Sequence, residues 1–146
     1  MRGKILVCLG VILMTAMMST AHAYLIQDSD FDSGDYTSVT AYCSGNYHDF
    51  EVYGTLAYVK GVVSTALPDD GIVILFRFIT DVYGDTGWWA LFNPDADEPD
   101  DWDWQPVSAG TVAYIDCFGQ AGYGHVVGSY LYYTPDTDFV YAGIPP

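Results

Sequence analysis

Positive charge is what this sequence has least of. Only four of its 146 residues are Lys or Arg, against nineteen Asp and Glu. Arg2 and Lys4 stand at the N-terminus, so the rest of the chain holds only Lys60 and Arg77. A groove that tracks phosphates needs several cations, so nucleic acid is an unfavourable partner, and an anionic membrane surface is too. Cysteine is scarce too, at three, and no Cys or His lies at zinc-ligand spacing from Cys43 or Cys117. There is no G-x-S-x-G elbow, and neither His48 nor His125 sits in a nucleophile or metal motif. Carboxylate neighbours such as Asp100 and Asp101 follow from the acid count alone, so no enzyme chemistry is expected. Helical spacing of apolar residues is missing as well. Beyond the N-terminus no apolar run is long enough to cross a bilayer as a helix.

What is there begins with a leader. Arg2 and Lys4 precede an apolar run from Ile5 to Met18, and Ala21-His22-Ala23 places small residues at −3 and −1 of a cleavage site. Residues 1–23 are therefore read as a cleaved secretory signal peptide, with a retained N-terminal anchor as the alternative. Cys8 lies too near the start to serve as a lipoprotein cysteine. Export to a periplasm or to the outside of the cell follows, and no membrane-spanning segment is expected after cleavage. From Tyr24 onward two cations face nineteen acids, a net charge of −17. Such a surface attracts a cationic peptide, a polyamine or a basic protein, or simply keeps an exported domain dissolved. The remaining cysteines, Cys43 and Cys117, form an even pair, which in an exported chain predicts one disulfide. Closing that loop would stabilise the fold by about 4 kcal/mol on the chain-entropy argument.

Segments rich in Val, Ile and aromatics alternate with Gly, Pro and Asp turns, the signature of strands. Five are read: Phe50–Val63, with Gly54 and Gly61 marking bulges or bends, then Ile72–Thr80, Trp88–Phe92, Gly110–Phe118 and His125–Tyr133. Tyr24–Gly34 reads as a tail or a loose first strand. Five strands with a curled first one and a long third-to-fourth connection resemble the OB-fold, in particular the small bacterial domains named for their likeness to anticodon-binding barrels. The resemblance rests on "EVYGTLAYV", "GIVILFRF", "GWWALF", "SAGTVAYIDCFG" and "HVVGSYLYY". It implies an all-β, five-stranded Greek-key barrel over residues 47–133, after an N-terminal segment (24–46) and before a C-terminal tail (134–146). An immunoglobulin-like sandwich is the other reading, although seven strands are hard to find.

The most unusual stretch, "NPDADEPDDWDWQP" (Asn93–Pro106), occupies that third-to-fourth connection. Acidic spacers are poor in aromatics, so its tryptophans predict a pinned, mostly non-helical connector whose Trp102 or Trp104 covers the barrel end. As an EF-hand it fails: starting from Asp95, the fifth and twelfth positions are Pro99 and Pro106. Asp28, Asp30 and Asp32 occupy positions 1, 3 and 5 of a second candidate, but its glycine comes one residue late and Val39 stands where the glutamate belongs. Asp95, Asp97 and these three aspartates remain the weak candidates for calcium, and no other cofactor is expected. OB barrels bind ligands on the face of strands two and three, which implies Arg77, Trp88, Trp89 and Tyr123 as the ligand-binding residues. A non-catalytic binding module for a cationic ligand or basic partner is the reading of function. Sugar stacking on tryptophan, a permanent envelope interface, calcium binding and single-stranded nucleic acid are its rivals.

Overall fold

The computed structural model describes residues 23–145; the expected leader, Ala23 apart, lies outside them. The described residues hold no helix and ten strands. These are β1 (Tyr24–Ser33), β2 (Thr37–His48), β3 (Glu51–Val63), β4 (Gly71–Thr80), β5 (Gly84–Asp85), β6 (Trp89–Asn93), β7 (Trp102–Val112), β8 (Ile115–Val127), β9 (Tyr130–Pro135) and β10 (Val140–Ile144). The all-β expectation holds. The five-strand count does not: two curled antiparallel sheets form a half-barrel around a shared core, one in the order β1-β2-β3-β7, the other with β8 and β4 at its centre. In the second sheet β9 and β10 pair in tandem with β8, while β5 and β6 pair with β4.

The chain enters strands where alternation allows one face to be buried. Strand β2 is the clearest case: Thr37, Val39, Ala41, Cys43 and Gly45 are buried and the residues between them are not. Opposite them β4 contributes Ile74 and Phe78, and β8 contributes Ile115, Cys117 and Ala121 to one apolar cluster. Each fully buried Val or Ile stabilises by about 1.5–3 kcal/mol relative to exposure, and most of the fold's stability lies here. The two sheets approach closely at glycines. A Cβ on Gly61 would come within 2.9 Å of Ile72 Cδ1, and one on Gly119 within 2.5 Å of Val59 Cγ1. Gly61 is thus a sheet-to-sheet contact, not a bend; Gly54, at φ 60° beside a register shift, is the bulge.

Several expected boundaries move. Tyr24–Gly34, read as a tail or a loose first strand, supplies β1, and the N-terminal segment 24–46 also holds nearly all of β2. Gly110–Phe118 straddles the turn between β7 and β8, and His125–Tyr133 is broken by the Gly128-Ser129 hairpin, with Gly128 at φ 63°. The β2–β3 hairpin turns on Asp49 and Phe50, both at positive φ, a pairing that normally calls for Asn-Gly.

The acidic stretch is pinned, though not by tryptophan. Main-chain groups of Leu67 and Ile72 donate to Asp97 and Ala96 carbonyls at 3.0 Å, and Val63 N donates to Asp101 O at 2.8 Å. Ala96 is buried against Val63 and Ile72 with Leu67 beside them. Alanine rather than tryptophan is the connector's contribution to this small cluster. Trp102 and Trp104 begin β7 and face solvent instead.

The expected disulfide is absent: Cys43 and Cys117 are both free thiols and both fully buried. They point inward from different sheets, and Cys117 Sγ donates to the Tyr58 carbonyl at 3.3 Å. Burial pushes each thiol up to about 12, which makes them inert core residues.

The candidate ligand face and the other predicted site residues

The outward residues of the first sheet follow directly from the registers. Ser29, Tyr42, Tyr58 and Pro106 form one row across the four strands. Phe31, Thr40, Lys60 and Trp104 form the next, and Ser33, Ser38, Val62 and Trp102 the one beyond. Lys60 carries the only formal charge in these three rows. In a chain with nineteen acids, that segregation has a structural cause. The acids of β1 and β7 point the other way, because the strand period of two places Asp28, Asp30, Asp32 and Asp103 opposite Cys43, Ala41, Val39 and Gly61 on the inward side.

A run of aromatic rings crosses this face. Tyr42 and Tyr58 stack at 5.0 Å, Tyr58 meets Trp104 edge-on at 5.6 Å, and Trp104 meets Trp102 edge-on at 6.4 Å. Lys60 Nζ lies 4.8 Å from the centre of the Trp102 ring, a cation–π contact. Tyr58, Lys60, Trp102 and Trp104 line an open cleft of about 210 Å³. Trp102 is 51 % and Trp104 40 % exposed. Burial against the neighbouring rings raises the Tyr58 hydroxyl above its ordinary value, so it is a neutral donor at physiological pH. Among the described residues Lys60 forms no ion pair, and no indole N–H bond of Trp102 or Trp104 is found. Trp89 Nε1, by contrast, donates to Thr86 O at 2.8 Å.

The residues named from the OB resemblance scatter. Arg77 and Trp88 share the outer face of the second sheet. Trp88 packs on Phe139 at 5.3 Å and edge-on against Phe118 at 6.3 Å, Phe118 meets Tyr141 at 5.0 Å, and Arg77 lies 5.8 Å over Phe118. Arg77 and Tyr141 of this cluster are each held by a carboxylate. Arg77 pairs with Asp85, whose carboxyl is held down at about 2 by that guanidinium and by Gly87 N–H. Tyr141 OH donates to Asp116 at 2.5 Å, and that bond raises the phenol to about 12. Trp89 stands on the edge strand β6 opposite Phe76. Tyr123 packs edge-on against Tyr36 at 5.4 Å near the far end of β8. The four do not form one site.

The β1 aspartates among the metal candidates are otherwise employed. Asp28, Asp30 and Asp32 project from β1 toward the free edge of β10, where they accept Gly143 N at 3.0 Å, Tyr141 N at 3.0 Å and Asp138 N at 2.8 Å. A carboxylate from the linker before β10 answers them: Asp136 accepts Asp35 N, Tyr36 N, Thr37 N and Thr37 Oγ1 at 2.7–3.1 Å. Together they stitch the two sheets together along one side and cover an edge that would otherwise invite pairing. Asp95 and Asp97 sit in the connector, where Asp95 N bonds Asn93 Oδ1 and Asp97 N bonds Asp101 Oδ2. Among the described residues no group of three or more His, Cys, Asp or Glu is placed to hold a metal.

Among the described residues two histidine–carboxylate pairs are present, and in the first His48 Nδ1 lies 3.1 Å from Asp49 Oδ2. His125 Nδ1 lies 2.8 Å from Asp69 Oδ2, and its ring stacks on Tyr132 at 5.2 Å. That hydrogen bond holds the Asp69 carboxyl below its usual range. Sequence reading missed the aromatic face because Tyr42, Tyr58, Trp102 and Trp104 are far apart in the chain. The i, i+2 spacing of Trp102 and Trp104, read as a strand, was the available signal. Compared with known proteins, the chain matches no protein family, no curated protein and no solved structure.

Proposed function

We propose that the chain is an exported, non-catalytic binding module whose ligand lies across the outer face of the first sheet, over Tyr42, Tyr58, Trp104 and Trp102. One observation carries the reading: an exposed run of aromatic rings lines a cleft whose three rows hold a single charge, in a molecule with nineteen acids. Apolar and aromatic surface left open in this way marks a contact for something else. The site expected from the OB resemblance, at Arg77, Trp88, Trp89 and Tyr123, gives way to this face, since those four residues are spread over the second sheet and largely satisfied by their neighbours. Export and signal cleavage remain part of the proposal on the strength of residues 1–23.

A second reading keeps the ligand cationic. The net charge of −17 beyond the leader favours a basic peptide or a polyamine, which would sit on the acidic surface away from Lys60. Tryptophan fluorescence of the chain from Tyr24 onward, titrated with an oligosaccharide, a basic peptide and spermine, decides between them. The face reading requires a ligand whose binding is weakened by Trp104→Ala and unchanged by Trp88→Ala. A ligand indifferent to Trp104→Ala and displaced by salt belongs to the second reading.

A further inference from the structure

Resting on that proposed face, we infer that its ligand is a neutral, hydroxyl-rich polymer, a polysaccharide chain, rather than a cation, an anion or a small molecule. Three features of the cleft select this chemistry. The first is its donors: the Lys60 ammonium has no ion-pair partner among the described residues, and the indole N–H groups of Trp102 and Trp104 stand at an exposed surface. A surface that offers donors asks for acceptor oxygens, and it disfavours a cation, which would be placed beside Lys60.

The second is the field around it. Nineteen acids against two cations beyond the leader repel any polyanion over a Debye length, about 8–10 Å at physiological salt. An acceptor-rich ligand that avoids this repulsion is one whose oxygens are hydroxyls and ethers. Sugar rings meet that requirement and also present apolar C–H faces, which pack on the aromatic rings here.

The third is shape. The cleft is open, and the rings continue past it, from Trp102 on the edge strand β7 through Trp104 and Tyr58 to Tyr42 on β2. Hydroxyls of Ser29, Thr40 and Ser38 lie along the same rows. A small molecule would be enclosed. A run of rings that crosses three strands fits an extended chain with repeated contacts.

The test uses the chain from Tyr24 onward and soluble hydroxyethylcellulose, soluble starch and galactomannan as probes, with polylysine and alginate as the charged comparisons. Binding is measured by fluorescence and calorimetry at low and high salt. The inference requires that at least one neutral polymer binds with an affinity that salt leaves unchanged. Trp104→Ala should weaken it roughly tenfold or more, and Trp88→Ala should leave it alone. Lys60→Met gives the sign: loss of a donor weakens a neutral polymer, whereas loss of a positive charge strengthens a cationic ligand. Thermal melting of each variant confirms that it is folded. If none of the neutral polymers binds, or if Lys60→Met strengthens the ligand that does, the polysaccharide inference is overturned. Polylysine binding that still depends on Trp104 would overturn it while leaving the face itself standing; ligands that all ignore Trp104→Ala remove the face as well.

Discussion

Replacing Asp136 by alanine should cost about 3–7 kcal/mol, a large share of the 5–15 kcal/mol that holds a domain of this size. The figure comes from what the carboxylate holds. Thr37 is fully buried, and both its N–H and its hydroxyl donate to Asp136 Oδ2 at 2.7 Å. Each buried donor left without a partner costs about 1–3 kcal/mol. Tyr36 N and Asp35 N donate at 3.0 and 3.1 Å but lie nearer water, so their loss adds about 0.5 kcal/mol each once they are rehydrated. Asp136→Asn keeps one acceptor oxygen and loses the charge assistance, and about 1–2 kcal/mol is expected. Gly34→Ala should act on the same contact, because a Cβ there would run into the Asp136 carbonyl and carboxylate oxygens. Urea unfolding followed by fluorescence reads all three as shifts of midpoint at constant slope. An alanine variant that loses less than about 1 kcal/mol at unchanged slope would mean that water replaces the carboxylate, and that the aspartate seam is decoration rather than structure.

Two further predictions concern titration and thiols. The Asp85 carboxyl is depressed to about 2 by Arg77 and Gly87 N–H, so its contribution is present above the unfolded value near 3.9 and is lost as pH falls toward 2. Melting temperatures of the wild type and Asp85→Asn should accordingly differ at neutral pH and converge below pH 3; a constant gap down to that pH would refute the pairing. Cys43 and Cys117, with burial raising both to about 12, should resist a thiol reagent at pH 8 in the native chain and react as two thiols once unfolded without reductant. Finding no thiol in the unfolded chain would restore the disulfide and displace the free pair.

Strand chemistry was legible wherever large apolar residues alternate or run together. "IVILFRFIT" became β4 almost to the residue, and Phe50–Val63 became β3. The strand β2 was harder because its buried face is Thr, Val, Ala, Cys and Gly, residues small enough to let two sheets meet and therefore weak as an apolar signal. Strand β1 hid for the opposite reason. Its inward positions at Asp28, Asp30 and Asp32 are carboxylates, which reads as a loop until β10 arrives with unpaired N–H groups. The single segment "HVVGSYLYY" was read as one strand, although its Gly128-Ser129 pair is a two-residue hairpin signal.

The acidic connector shows the same limit from the side of function. Its composition required a pinned segment and two tryptophans in contact with something, and the pinning is there at Val63, Leu67 and Ile72. Which face the indoles took depended on the register of β7 against β3, where Lys60 meets Trp104 and Val62 meets Trp102. A shift of one residue would have turned both rings inward.

Composition and local pattern thus determined the strand class, the charge and the scarcity of cations, because these depend on residues one at a time or two apart. Pairing across the chain decided the rest. Two curled sheets joined as a half-barrel, four aspartates spent on main-chain donors, and an aromatic run assembled from β2, β3 and β7 all arise from contacts between distant positions. A lone strand carries no record of which neighbour its edge and its outer face will meet.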